Sequence, residues 1–168
     1  MVWRLGFHKM ADEGLLLCSV LFCPEPLDIY KPIDVIHAGQ PARIDFEITE
    51  SGIYQFALLF AYEGDHEELE RQENIFGEHS NKGVVIPISL RLLQNGKVVF
   101  EGGISTRGHG WIRSITYGEK SVNVVVRNII MLELPPGQYS AVTTILQGAP
   151  DFSGIETFFQ FAHYDPKV

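Results

Sequence analysis

The chain has 168 residues with a formal net charge of −8, 45% hydrophobic and 11% aromatic content, and a mean hydropathy of +0.05. This is the size of one domain, and the apolar content belongs to a packed globule and excludes a disordered chain. The charge argues against nucleic acid and anionic membranes as partners, because both are bound by neutralising phosphates with Lys and Arg.

The N-terminal segment reads differently from the rest. Both cysteines, Cys18 and Cys23, precede residue 24, so the body of the chain holds no thiol and no internal disulfide. Arg4, Lys9, the apolar run Leu15 to Phe22 and the sequence Cys23-Pro24-Glu25-Pro26 have the outline of a bacterial lipoprotein signal, which would put a lipid anchor on Cys23. Asp12 and Glu13 stand where such signals avoid acids, and Leu17 and Phe22 are bulky where a processing enzyme needs a small residue. The run is also too short to span a bilayer. Residues 1–26 are therefore read as a degenerate export signal or as a hydrophobic arm of the fold, and residues 27–168 as the domain. The first reading places the protein in the cell envelope facing the periplasm, the second in the cytoplasm.

From Leu27 onward the dominant period is two, the mark of strands with one buried face. Leu27 to Ile36 is the first expected strand. In the second, Ala42, Ile44, Phe46 and Ile48 alternate with Arg43, Asp45, Glu47 and Thr49. Ile53 to Tyr62 is apolar on nearly both faces, as expected near the centre of a covered sheet. Asp65 then caps a predicted helix over about His66 to Phe76, with Leu69 and Phe76 facing the body. Ile86, Ile88, Leu90 and Leu92 form a further buried face, and Pro87 predicts an edge strand or a bulge there. Asn95-Gly96 predicts a tight hairpin into Lys97-Val98-Val99-Phe100. Val122 to Leu134 reads as a long strand with a bulge near Arg127-Asn128. Tyr139 to Leu146 and Ile155 to Phe161 complete the set.

About eight strands with Gly/Pro turns and one short helix in a long acidic connection predict an all-β, antiparallel, immunoglobulin-like sandwich. Leu134, Gly137 and Tyr139 suit a tyrosine corner, in which a strand-initial Tyr ties its hydroxyl to nearby backbone. Tyr30-Lys31-Pro32-Ile33-Asp34, Ala38-Gly39-Gln40, Gly52 with Tyr54, Pro87-Ile88 with Leu90, and Leu134-Pro135-Pro136-Gly137-Gln138-Tyr139 together resemble the bacterial domain of unknown function 5625 over about Leu27 to Pro166. The resemblance implies a small bacterial protein, in many members one with a lipoprotein-type export signal, and it supplies no catalytic residue to carry over. The N-terminus departs from that pattern.

Two segments are candidates for recognition. The connection between Tyr62 and Val84 holds Asp65, Glu67, Glu68, Glu70 and Glu73 among seven acids against Arg71 and Lys82, which suits steering of a basic partner as well as plain solubility. His66, Glu67, Glu70 and His79 carry metal-ligating groups, but the spacing lacks the second His that a metalloprotease helix needs, and no metal or other cofactor is expected. The second segment is Arg107-Gly108-His109-Gly110-Trp111 with Arg113, where His109, Trp111 and Arg113 could anchor a partner. A core Trp reached by a flexible loop would look the same. Gly103-Ile104-Ser105-Thr106-Arg107 misses a nucleophile elbow at its fifth residue.

With no thiol in the body and no serine in a nucleophile setting, the chain is read as a non-catalytic protein-binding module. The specific expectation is an immunity protein that neutralises a secreted antibacterial effector, for example a type VI lipase. The alternatives are an envelope lipoprotein or accessory module that binds a small ligand or glycan, and a structural envelope protein. A concave site lined by Trp111 and tyrosines would favour the ligand, a broad convex or flat surface the protein partner.

Overall fold

The structure is a computed structural model that describes residues 26–64, 66–78 and 82–166. The predicted arm and its Cys23, together with Asp65 and His79, lie outside the described residues, Pro26 excepted. The described chain forms β1 (Asp28–Pro32), β2 (Pro41–Ile48), β3 (Gly52–Ala61), α1 (His66–Phe76), β4 (Ile86–Gln94), β5 (Lys97–Thr106), β6 (Trp111–Tyr117), β7 (Lys120–Leu134), β8 (Gly137–Ile145) and β9 (Thr157–His163). Two antiparallel sheets, β1-β9-β3-β7-β6 and β2-β8-β4-β5, face each other as a β-sandwich. The strand that sequence reading omits is β6. Its outward set, Trp111, Arg113, Ile115 and Tyr117, mixes apolar with charged residues and blurs the period of two.

The alternation of β2 is exact, with Ala42, Ile44, Phe46 and Ile48 buried and the residues between them exposed. Strand β3 is buried on both faces because it lies in the middle of the five-stranded sheet. Asn95 and Gly96, at φ of 48° and 81°, close the β4–β5 hairpin in the left-handed region that this turn requires. Strand β4, however, is an inner strand between β8 and β5, and its register slip lies between Leu92 and Leu93, so Pro87 marks neither the edge nor the bulge expected there. Pro87 is its second residue, and its carbonyl accepts from the Leu146 N–H at 2.9 Å, just past the last β8 pair, Ile88 with Ile145. The missing donor therefore falls at the end of the ladder, where it breaks no central pair.

Four rings span the interface between the sheets. Phe46 stacks on Tyr139 at 5.4 Å and on Phe161 at 3.7 Å, and Phe161 stacks on Tyr54 at 5.2 Å. Each end of this column is a tyrosine whose hydroxyl donates to backbone four residues earlier: Tyr139 to the Pro135 carbonyl at 2.7 Å and Tyr54 to the Glu50 carbonyl at 2.9 Å. The predicted corner at Tyr139 thus has a counterpart on β3. Burial pushes both phenols above their ordinary pKa, so both remain donors at neutral pH.

The five-stranded sheet is rolled. Four strand spacings would hold the edges of a flat sheet about 19 Å apart, yet the Tyr30 hydroxyl on β1 donates to the Thr116 carbonyl on β6. Arg113 on β6 also pairs with Asp28 on β1 at 2.5 Å. Between these edges the outward side chains enclose a second small core of Ala57, Leu59, Ile115, Val124, Val126 and Phe158. Tyr117 closes it edge-on against Phe158, with ring centroids 4.9 Å apart.

Arg127 ties the acidic connection to the sandwich. Its side chain is fully buried, and it donates to the carbonyls of Gly108 (2.7 Å), Val84 (2.7 Å), Phe76 (2.8 Å) and Ile75 (3.3 Å). The last two are carbonyls at the C-terminus of α1, where the helix dipole favours a cation. The guanidinium also lies 4.9 Å from the centroid of Phe60 and 5.6 Å from that of Phe152. Gly77 ends the helix at φ 92°, and Gly83 approaches it so closely that a Cβ there would sit 2.5 Å from the Gly77 nitrogen. Only glycine fits either place.

Arg127→Leu removes the donor from four buried or part-buried carbonyls, of which that of Ile75 keeps the Val84 N–H, which should cost about 3 kcal/mol. Calorimetry should show Tm falling by about 6–12 °C; an unchanged Tm would mean that the connection holds itself in place. Tyr139→Phe and Tyr54→Phe should each lose about 1 kcal/mol in urea unfolding, with the packing of the column intact.

Candidate functional site

Of the residues singled out in the sequence, the structure brings Trp111 and Arg113 together and separates them from the rest. They are two apart on β6, so both point to the outer face of the rolled sheet, at its open end. There a hollow of about 690 Å³ is lined by Pro26, Leu27, Asp28, Gln55, Trp111, Arg113, Ala162, His163, Tyr164 and Asp165. Trp111 is 39% exposed and Gln55 only 3%. The site therefore has an accessible aromatic wall and a buried polar floor.

The polar groups are held by one another. Asp28 receives Arg113 on one carboxylate oxygen at 2.5 Å and the Gln160 amide on the other at 2.6 Å. The Gln55 amide donates to Asn128 Oδ1 at 3.1 Å. Gln55, Gln160 and Asn128 belong to neighbouring strands and occupy one end of the rolled interior, with the apolar second core at the other. Trp111 is thus neither the core residue nor the mobile-loop residue that the glycines around it suggest: it begins an edge strand, anchored by the Gly110 N–H on the Val126 carbonyl at 2.8 Å.

His109 lies elsewhere, half-buried in the loop that Arg127 holds, and its Nδ1 has no hydrogen-bond partner among the described residues. Glu67, Glu68, Glu70 and Glu73 lie on α1, with Glu67 and Glu70 exposed and Glu68 and Glu73 half-buried. Glu68 pairs with Arg71 and accepts from Gln72 at 3.2 Å. None of the described α1 residues lines the hollow. Of the weighed metal set, His79 lies outside the described residues, as does the side chain of His66, and Glu67 and Glu70 remain on the helix surface. His37 sits 2.7 Å from Asp34 in the turn after β1, and that contact chiefly holds the Asp34 carboxyl below its ordinary pKa.

Sequence reading misses Asp28, Gln55 and Gln160. The signal for the two glutamines is present: each interrupts an otherwise apolar run, Tyr54-Gln55-Phe56 and Phe159-Gln160-Phe161, in a strand buried on both faces. A polar residue in that position needs a partner inside the protein. Asp28 offers no such signal, because its role depends on β1 and β6 meeting across the roll.

Among the described residues no helix is long and apolar enough to cross a membrane. No curated protein matches the sequence. Among solved structures, a crystal structure of a protein from Sulfurospirillum deleyianum is similar to this chain, with a TM-score of 0.68 at 18% identity, over 84% of this chain and 99% of that one. That likeness is one of fold. The family model described as a domain of unknown function, DUF5625, matches residues 30–163, so the chain belongs to that family.

Proposed function

We propose that this protein is a non-catalytic binding module that takes a small ligand in the hollow of its rolled sheet. The observation that carries the reading is the partly open Trp111 indole standing beside the Asp28–Arg113 pair over the buried Gln55. A concave site with an aromatic wall and a few fixed polar groups is the usual form of a small-molecule site, and the volume of about 690 Å³ falls within the usual range of about 300–1,000 Å³. Asp28 is held by Arg113 and Gln160, and Gln55 by Asn128, and the described lining holds no serine, threonine or cysteine to serve as a nucleophile.

A second reading, an immunity protein that covers a secreted antibacterial effector such as a type VI lipase, has its own support. Glu67, Glu70 and Glu78 are exposed on one connection, which Arg127 fixes to the body. A fixed acidic surface suits a basic protein partner, because little ordering is lost on binding. Pull-down with the product of the adjacent reading frame tests it, and failure to bind or protect against that product counts against it. Export and a lipid anchor at Cys23 belong to either reading and are tested by cell fractionation.

The ligand reading is tested by thermal-shift screening of the full chain against a metabolite library. A true ligand at a hundred times its Kd should add about 2.7 kcal/mol, raising Tm by about 5–11 °C, and Trp111→Ala should abolish the shift. A library without stabilising compounds, or a shift indifferent to Trp111, would sink the proposal.

A further inference from the structure

We infer that the ligand of this hollow is a neutral saccharide, its ring lying on the Trp111 indole and its hydroxyls meeting Asp28, Arg113 and Gln55. The inference rests on the ligand reading above and narrows it to a chemical class. Charge decides first. The Asp28 carboxylate is compensated by Arg113 at 2.5 Å and by the Gln160 amide at 2.6 Å. An anionic ligand would have to take Arg113 from Asp28, strand that carboxylate, and approach a chain of net charge −8. A cationic ligand at Asp28 would have to displace Arg113 from the same carboxylate, and Asp165, the other carboxylate of the lining, is exposed and already has a partner of its own. Either exchange leaves a half-buried charge without its partner, which is the costly outcome for such pairs. A neutral ligand leaves the pair intact.

The chemistry of the walls decides next. Beside Trp111 the hollow presents a carboxylate that only accepts, a guanidinium that only donates, and an amide that does both, and His163, Tyr164 and Asp165 add further polar groups to the lining. Among the described residues Arg113 donates from one nitrogen, to Asp28. Hydroxyl groups donate and accept, so a polyhydroxyl ligand can satisfy all three kinds of group at once. An apolar ligand would instead cover them without replacing the water they lose. The exposed face of Trp111 supplies the apolar complement, since a pyranose ring carries C–H groups on one face and these pack against an electron-rich indole. Trp111 and Arg113 are on the same face of one strand, which sets the indole beside the polar groups, the arrangement required by a molecule that is apolar on one side and hydroxylated at its rim.

The test uses the full chain in a Trp3→Phe background, so that Trp111 is the single indole reporter. Maltotriose, cellotriose and chitotriose serve as neutral probes, with glucuronate, choline and adenosine for the anionic, cationic and aromatic classes. The expected result is saturable quenching by at least one neutral saccharide, confirmed by calorimetric titration of the unaltered protein. In that titration Trp111→Ala should weaken binding by about tenfold or more, and Trp111→Tyr, which keeps an aromatic face, by less. Circular dichroism confirms that each variant folds. If only glucuronate, choline or adenosine binds in a Trp111-dependent way, the saccharide inference is overturned and the ligand reading stands. If every probe fails and the library screen also yields no Trp111-dependent ligand, both are overturned.

Discussion

A single buried cation organises one flank of this protein. Moving a guanidinium out of water costs about several kcal/mol even after the protein relaxes, and Arg127 meets that cost without a carboxylate. It uses four backbone carbonyls and two aromatic faces. Burial lowers its pKa to about 10, which still leaves it charged at neutral pH. The carbonyls come from the end of α1, from the segment leading into β4 and from the loop before β6. One side chain therefore fixes the crossover that joins the sheets, the acidic surface it carries and the point where the chain enters β6. Trp111 and Arg113 follow immediately, so the hollow inherits its placement from this clamp.

The aromatic column plays the corresponding part in the main core. Stacked pairs contribute about 0.5–1.5 kcal/mol each beyond the area they bury, and here the stack runs through Phe46 and Tyr139 of one sheet and Phe161 and Tyr54 of the other. Its tyrosine ends are bonded to backbone, which sets the registry of the two sheets along the stack. The roll of the larger sheet has a different effect. It turns β1 and β6 toward each other, so that the side chains of Tyr30 and Arg113 bridge the two edges to Thr116 and Asp28. The edges of the smaller sheet are protected by composition instead: β2 alternates charged residues outward, and β5 contains Gly102 and Gly103.

Much of this was legible from residue spacing. The buried faces of β2 and β4, the double burial of β3, the bounds of α1, the Asn95-Gly96 hairpin and the corner at Tyr139 each rest on local rules about period and turn geometry, and such rules act within one segment. The roll, the Arg127 clamp and the hollow could not be read in that way. In the sequence Arg127 is only an interruption in an apolar strand, because its partners lie 19 to 52 residues away. Pro87 misled for a related reason: the rule concerns a missing donor, and whether that donor matters depends on where the neighbouring strand ends. Of the proposed recognition residues, Trp111 and Arg113 were found together because both carry large side chains of distinctive chemistry. Their partner Asp28 comes from the far edge of the sheet and left no trace in the spacing.

The irregularity in β7 fixes something beyond its own geometry. Pairing with β3 slips between Phe56 and Ala57, opposite Ile130 and Asn128, so Ile129 is an extra residue. Before it, the even-numbered residues Val122, Val124 and Val126 line the second core; after it, Ile130, Leu132 and Leu134 turn inward to the first. One inserted residue thus reverses the parity of the strand and lets a single continuous segment serve two interiors in succession. The length of chain between Val126 and Leu134 is consequently quantised: it can absorb a change of side chain, but losing or gaining a single residue would turn three core aliphatics to the solvent.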